Sequence, residues 1–340
     1  MRLNLTHFLL ISLLLLLSSC DNEQQQIDTS SIEIDLNFKR FEVELFALAE
    51  DTITAKELDG LQDKFPKLYP LYVEAVMGFG TAGSEEAQNI LNRFTADVDI
   101  KELFQVVLKE YPVESLKGEI NQIEEGFKRF KYLFPNKSTP ELKTLVTALT
   151  YNTVVGDSLL AIGLDMYLGG DFPIYPQANI PKYKFERFSR DYLVSDAVKA
   201  WIITEFESEG GRTLLEEMIF QGKILYLVEK CLPSLEQHIL FSYFPQELNW
   251  CEENEAEIWF HFIDMELLYT VENHLIQKYL GDAPFIAGFP EGSPGRVGQW
   301  VGYQIVDAYM ENNSEVDIFQ LMSNEDANLI LQKSRYKPKR

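Results

Sequence analysis

Apolar residues recur at spacings of three and four along most of this 340-residue chain. The clearest case is Ile123, Phe127, Phe130 and Phe134, which a helix places on one face. Such a face must pack against a core, so the pattern favours a helical architecture. It predicts helices over 41–48, 55–65, 85–93, 100–110, 120–134, 195–207, 212–231, 245–268 and 294–312.

Extended segments are few, and they come early in the chain. Residues 32–36 alternate apolar and acidic side chains with period two, which predicts a short strand. Residues 141–155 and 158–168 are apolar and flank Gly156 and Asp157, which predicts a hairpin. No linker separates two domains. We therefore expect an α+β fold: one helix-dominated domain with a small early sheet.

Composition narrows the classes of function. The chain is 46% hydrophobic and 24% charged, so it has enough apolar residues to form a buried core. Its formal net charge is −23, which argues against nucleic acid as a partner and against passive adhesion to anionic lipid. Three cysteines are too few for a disulfide-rich scaffold. Cys231 and Cys251 either form a bridge or are two small buried apolar residues, and we favour the second alternative.

The amino terminus has the features of an export signal. Arg2 precedes an apolar run over residues 8–17, which is too short for a comfortable membrane span. The run ends in Leu-Ser-Ser-Cys, which resembles a bacterial lipobox with Cys20 as the lipidated residue. A secretory signal or an uncleaved anchor are the alternatives. The predicted organisation is a signal peptide (1–19), a lipidated cysteine with a polar tether (20–31), one globular domain (32–332) and a basic tail (333–340).

Familiar catalytic and metal-binding motifs are missing from the sequence. His238, His261 and His274 never stand four apart on one predicted helix, so the zinc pattern H-E-x-x-H is absent. The sequence also lacks a nucleophilic serine motif, a Walker loop and a G-x-G-x-x-G fingerprint. We therefore predict no metal and no cofactor.

Acidic side chains are the main candidates for chemistry. Glu253 and Glu257 are four residues apart in the predicted helix 245–268, so they share one face. Two such carboxylates can share a proton or hold a cation. The alternative is a solvated acidic face, which the helix dipole favours near an amino terminus.

The segment from Ser293 to Tyr303 predicts a helix start and a close helix contact. Ser293 is a plausible N-cap, with Pro294 at the first helical position. Gly298 and Gly302 form a flat strip that another backbone can approach. Arg296 then lies in the first turn, where a cation is slightly unfavourable, so we expect a carboxylate partner from the acidic helix.

One glycine interrupts the predicted helix 212–231. Gly222 costs about 1 kcal/mol relative to alanine in a helix, which indicates a tight contact there. Glu217 and Gln221 lie just before it. They complete the candidate functional cluster, which comprises Glu217, Gln221, Glu253, Glu257 and Arg296.

Four segments in fixed order resemble a known family. They are YNTVVGDSLLAIGLDMYLG (151–169), EEMIFQGKILY (216–226), WCEENEAEIW (250–259) and SPGRVGQWVGYQIVDAYM (293–310). Together with the lipobox, they resemble the gliding-motility lipoprotein GldB family of Bacteroidetes over nearly the whole mature chain. The resemblance implies an envelope lipoprotein that faces the periplasm and works beside the motility and secretion apparatus. It leaves the choice of inner or outer membrane open, and it carries no catalytic residues.

A fainter resemblance links the order of hairpin and helices to predicted zinc-dependent proteases. That family carries H-E-x-x-H on the first helix, whereas residues 216–223 contain no histidine here. Glu253 or Glu257 could stand where a third ligand would be. The resemblance implies a zincin-like scaffold without the zinc site, a pseudo-enzyme.

Three hypotheses follow. The first is a lipid-anchored, non-catalytic protein that acts in gliding through protein contacts. The second is a carboxylate-based envelope hydrolase with Glu253 and Glu257 as acid and base. The third is a metal-dependent binding module that uses the acidic cluster.

Overall fold

The computed structural model describes residues 27–206 and 213–339. The predicted signal peptide, Cys20 and the start of the tether lie outside these residues. Helices dominate the described chain, which confirms the predicted α+β class with one small sheet. The α-helices are α1 (Phe41–Leu48), α2 (Ala55–Lys64), α3 (Leu68–Leu71), α4 (Glu85–Ala96), α5 (Val98–Glu110), α6 (Lys117–Leu133), α7 (Lys182–Phe185), α8 (Arg190–Glu205), α9 (Leu214–Cys231), α10 (Gln237–Leu240), α11 (Pro245–Glu253), α12 (Glu255–Asp264), α13 (Asn273–Leu280), α14 (Val297–Asn312), α15 (Ile318–Ser323) and α16 (Ala327–Ser334).

A four-stranded sheet lies early in the chain, as expected. Its strands are β1 (Lys39–Arg40), β2 (Glu141–Leu145), β3 (Thr153–Gly156) and β4 (Leu159–Gly163), in the order β1-β2-β4-β3. β3 and β4 form the predicted antiparallel hairpin around Gly156. β2 pairs in parallel with both β1 and β4.

Two strand predictions are wrong in detail. Residues 32–36 alternate in burial as their sequence does, but they form no strand, and the chain turns at Asn37 (φ 43°) before β1 begins. Residues 141–155 are not one strand, because Ala148 and Leu149 adopt left-handed backbone angles between β2 and β3. Periodicity reports which face is buried, whereas strand pairing depends on a neighbour elsewhere in the chain.

The core is organised around α9, which is apolar on nearly all sides. Such a helix belongs in the centre of a protein. It packs most extensively on α14, and the two backbones meet at Gly222 and Gly302. A Cβ atom on Gly302 would overlap the carbonyl of Met218, and one on Gly222 would overlap the backbone of Gly302. The tight contact predicted at Gly222 is therefore confirmed, and the glycine strip on α14 is a packing surface.

The predicted helix 245–268 is interrupted at Asn254. The Asn254 side chain donates to the Trp250 carbonyl at 2.7 Å, and its backbone N–H donates to the same oxygen at 3.1 Å. The side chain therefore shares the carbonyl that accepts the regular helical hydrogen bond of this residue. α11 ends at Glu253 and α12 begins at Glu255, so the two are separate helices.

The start of α14 also differs from the prediction. Ser293 does not cap the helix, because its hydroxyl hydrogen-bonds to the backbone of Ile286 instead. The N-cap residue is Arg296, whose φ is 60°. Gly295 packs against the backbone of Ala283, and the helix begins two residues later, at Val297.

Cys231 and Cys251 are buried and free, as favoured from the sequence. At the carboxyl terminus, Tyr336 packs edge-on against Trp259 of α12. Among the described residues, no helix combines the length and the apolar character that crossing a membrane requires.

Candidate functional site

Glu253 and Glu257, the two candidate carboxylates, lie on different helices. Glu253 ends α11, whereas Glu257 lies in the first turn of α12, and both side chains are exposed. The expectation that they belong to one helix is wrong, because the helix is interrupted at Asn254. The buried carboxylate of this region is Glu255, which accepts hydrogen bonds from the Tyr336 hydroxyl at 2.8 Å and the Lys339 backbone at 3.2 Å. It therefore anchors the carboxyl-terminal segment.

The other predicted site residues lie on different elements. Glu217 and Gln221 are half-buried and one turn apart on α9. Arg296 pairs with Asp282 at 3.3 Å, so the prediction that the acidic helix supplies its partner is wrong. The prediction that Arg296 requires a carboxylate is confirmed.

Arg296 belongs to a group of charges that the sequence pattern did not reveal. The buried Arg187 forms two hydrogen bonds to Glu247, at 2.8 and 3.1 Å, and one to Asp282 at 3.1 Å. Asp282 therefore bridges Arg187 and Arg296. The Arg187 guanidinium also lies 5.5 Å from the Phe244 ring centre. We call the space lined by Arg187, Asp282 and Arg296 the arginine cleft; its volume is about 450 Å³. Phe244 and Glu247 contact Arg187 from outside this lining.

An acidic residue lies on another wall of the arginine cleft. Asp196 of α8 accepts hydrogen bonds from Tyr167 Oη at 2.9 Å and Asn152 Nδ2 at 3.3 Å, both on Oδ2. Burial raises the pKa of Asp196, which the positive charges of Lys199 and Arg296 partly oppose. Burial also lowers the pKa of Lys199 to about 8, and Arg296 adds to this effect. Asp196, Lys199 and Arg296 thus act on each other electrostatically.

The backbone around the arginine cleft is strained. Four lining residues that are not glycine have left-handed φ angles between 54° and 63°: Leu149, Asn179, Ser242 and Arg296. Such conformations cost of order 1 kcal/mol each and concentrate at functional sites. Their concentration here marks the cleft as a candidate binding site.

One buried carboxylate holds the strained loop between β2 and β3. Asp165 accepts backbone hydrogen bonds from Thr147 at 3.0 Å and from Leu149 at 2.7 Å. Burial raises the pKa of Asp165 to about 6, although these hydrogen bonds oppose the shift. Its role is to position Leu149 at the edge of the arginine cleft.

A second surface lies on α12 and is apolar. Phe260, Ile263 and Met265 are 65%, 48% and 59% exposed, although they are large hydrophobic side chains. Phe260 and Met265 line a groove of about 470 Å³ whose opposite wall includes Phe289 and Pro290. We call these five residues the α12 surface. Two acidic side chains line the same groove: Glu257 and Asp264.

Residues 27–206 and 213–339 bring together no group of three His, Cys, Asp or Glu side chains that could hold a metal ion. Burial raises the pKa of both the Cys231 and the Cys251 thiol. A thiol in that state is a poor nucleophile at neutral pH.

The sequence pattern did not reveal Arg187, Asp196 and Asp282, because Asp282 lies far in sequence from the other two. Sequence reasoning also missed Phe260 and Ile263. The helical spacing did contain a signal for these two residues. Ile258 and Phe262 form the buried face of α12, and Phe260 and Ile263 fall outside that face.

Fold and surfaces together define a helix-dominated α+β protein with a polar, arginine-lined cleft and an exposed apolar helix. The chain belongs to the GldB family: the family model described as gliding motility protein GldB matches residues 22–338. The protein is therefore a gliding-motility protein. No curated protein and no solved structure matches the chain.

Proposed function

We propose that the protein is a lipid-anchored, non-catalytic component of the cell envelope, which acts in gliding by binding another protein of the motility or secretion apparatus. Membership of the GldB family supports the role in gliding. The lipobox-like sequence that ends at Cys20 supports the anchor. The binding function rests on the exposure of the α12 surface.

The main support for a binding function is the concentration of exposed apolar side chains on and just after α12. Among the described residues, twelve large hydrophobic side chains are exposed, and five of them lie within residues 260–271. Contiguous exposed apolar surface typically marks a site of interaction with another protein or a membrane. The acidic side chains of Glu257 and Asp264 flank the groove, so the expected partner presents apolar side chains next to basic ones.

A catalytic pair at Glu253 and Glu257 has weaker support. Both side chains are exposed, and they lie on separate helices. Contact with a partner therefore explains this region better than hydrolysis does.

Cross-linking at the α12 surface tests the contact. A photoreactive amino acid at position 260, in cells that glide, should form a defined adduct with an envelope protein of the motility or secretion apparatus. The matched control is position 98, where Val98 is equally exposed but lies far from α12 in sequence. No adduct at 260, or the same adducts at 98 and 260, would contradict the proposed contact.

The lipid anchor is tested at Cys20. Cys20→Ser should abolish labelling of the protein by a fatty-acid analogue and should release it from the membrane fraction, because lipid chains bury many CH₂ groups. Cys231→Ser, which changes a buried thiol, should retain the label. A Cys20→Ser protein that remains in the membrane would favour an uncleaved anchor instead.

A further inference from the structure

We propose that the arginine cleft binds a small ligand that carries both a carboxylate and an amino group, such as an amino acid or a short peptide. This inference concerns a different surface from α12. It stands or falls independently of the contact proposed there.

The cationic side of the cleft has hydrogen-bonding capacity to spare. Arginine has five N–H donors. Arg296 uses its guanidinium in an ion pair of 3.3 Å with Asp282, and its side chain is 21% exposed. The Arg187 side chain is 9% exposed, and its Nε has no hydrogen-bond partner among the described residues. A ligand carboxylate in the cleft would be attracted by both guanidinium charges and could accept hydrogen bonds from the donors that Arg296 leaves unused.

The acidic side of the cleft is also incompletely used. Both hydrogen bonds to Asp196 end on Oδ2, from Tyr167 and Asn152. Oδ1 is left to accept a hydrogen bond from a ligand. An amino group suits this position because it is cationic and would offset the cost of burying the carboxylate.

The charge balance distinguishes a zwitterion from a simple anion. Three cationic side chains line the cleft: Lys184, Arg187 and Arg296. Two anionic side chains line it as well, Asp196 and Asp282. Three positive and two negative side chains leave the lining with one net positive charge. Glu247 pairs with Arg187 from outside this lining and offsets that charge. A polyanion would be repelled by the carboxylates, whereas a ligand with one charge of each sign matches both walls.

The remaining walls suit an apolar side chain. The volume of about 450 Å³ lies within the range of about 300–1,000 Å³ that small-ligand pockets occupy. The strained loops fix the shape of the cleft, which lowers the entropy lost on binding. The apolar and aromatic lining residues include Leu149, Met166, Ile180, Pro181, Phe188 and Tyr192.

Ligand titrations of the full-length chain in detergent test the proposal, with the melting temperature and calorimetry as readouts. The probes are leucine and alanyl-leucine, each compared with its N-acetylated form and its amide, and with inorganic phosphate. We expect saturable binding of leucine or alanyl-leucine, and at least tenfold weaker binding of the forms that lack either charge. Equal binding of the blocked forms, binding of phosphate alone, or no binding of leucine and alanyl-leucine would overturn the proposal.

Variants locate the site. Asp196→Asn and Arg296→Ala should each weaken binding at least tenfold, whereas Arg93→Ala, an exposed residue of α4, should bind as the unaltered protein does. Circular dichroism establishes that each variant is folded. If Arg296→Ala does not fold, binding to Asp196→Asn and binding of the N-acetylated and amide ligands still test whether the arginine cleft is the site. Undiminished binding to a folded Asp196→Asn protein would place the ligand elsewhere and overturn the assignment.

Discussion

Gly302→Ala should destabilise the protein by about 4 kcal/mol or more, or prevent folding altogether. The added methyl group would overlap the Met218 carbonyl where α9 and α14 cross. A backbone carbonyl cannot move aside as a flexible side chain can, so the two central helices would have to separate. Losses above about 4 kcal/mol are exceptional for single substitutions and require a mechanism of this kind. Urea unfolding followed by circular dichroism measures the effect.

Gly60→Ala is the matched control. Gly60 is an exposed residue of α2, and no atom lies within 4 Å of the position its Cβ would take. Alanine should stabilise this helix by about 0.5–1 kcal/mol because it loses less backbone entropy on folding. Equal stability of Gly302→Ala and Gly60→Ala would mean that α9 and α14 do not meet at their glycines.

Arg187→Leu should destabilise the protein by about 3 kcal/mol. The substitution leaves Glu247 and Asp282 as half-buried carboxylates without the cation that joins them. Removing one partner of a buried ion pair costs about 3–5 kcal/mol, and the partial exposure of both carboxylates places the expected loss at the lower end. Arg187→Lys should cause a smaller loss of stability than Arg187→Leu. Lysine keeps the positive charge but cannot form the forked hydrogen bonds to two carboxylates. The measurement is again urea unfolding at neutral pH.

Lys182→Ala is the control for Arg187. Lys182 is nearby in sequence and pairs with Glu186 at 3.4 Å, but its side chain is 78% exposed. An exposed pair contributes no more than about 1 kcal/mol, so little should change. A loss for Lys182→Ala as large as that for Arg187→Leu would contradict the ion-pair network around Asp282.

The helices were largely predictable because the apolar spacing that specifies each of them lies within a short stretch of sequence. The spacing of Ile123, Phe127 and Phe130 defines a buried face wherever the helix packs. α1 has the predicted bounds, and α6 differs only at its ends. The break at Asn254 was missed because the apolar periodicity continues across it.

The sheet and the charged sites depend on contacts that are distant in sequence. β1 pairs with β2 across about a hundred residues, and nothing local to residues 32–40 specifies that pairing. The arginine cleft likewise brings Arg296 beside Arg187 and Asp196, which lie about a hundred residues earlier in the chain. The sequence indicated that Arg296 needs a carboxylate, but it could not identify Asp282 among the 53 acidic residues of the chain.

We propose that the protein acts in gliding by contact through the α12 surface and not by hydrolysis at acidic residues. The two mechanisms place the essential side chains on the same short stretch of chain but assign them different chemistry. A hydrolase requires the carboxylates of Glu253 and Glu257. A contact requires the apolar side chains, since truncating a central residue of an interface typically costs about 2 kcal/mol or more and rim charges cost less.

The most direct test is to measure the gliding velocity of cells that carry chromosomal variants of this protein at matched protein levels. The account predicts that Phe260→Ser with Met265→Ser abolishes most gliding, whereas Glu253→Gln with Glu257→Gln retains it. Val98→Ser with Val113→Ser, which changes two other exposed apolar residues, should glide normally. Normal gliding by the Phe260 and Met265 variant, together with loss of gliding when the two carboxylates are neutralised, would contradict the account and favour a hydrolase.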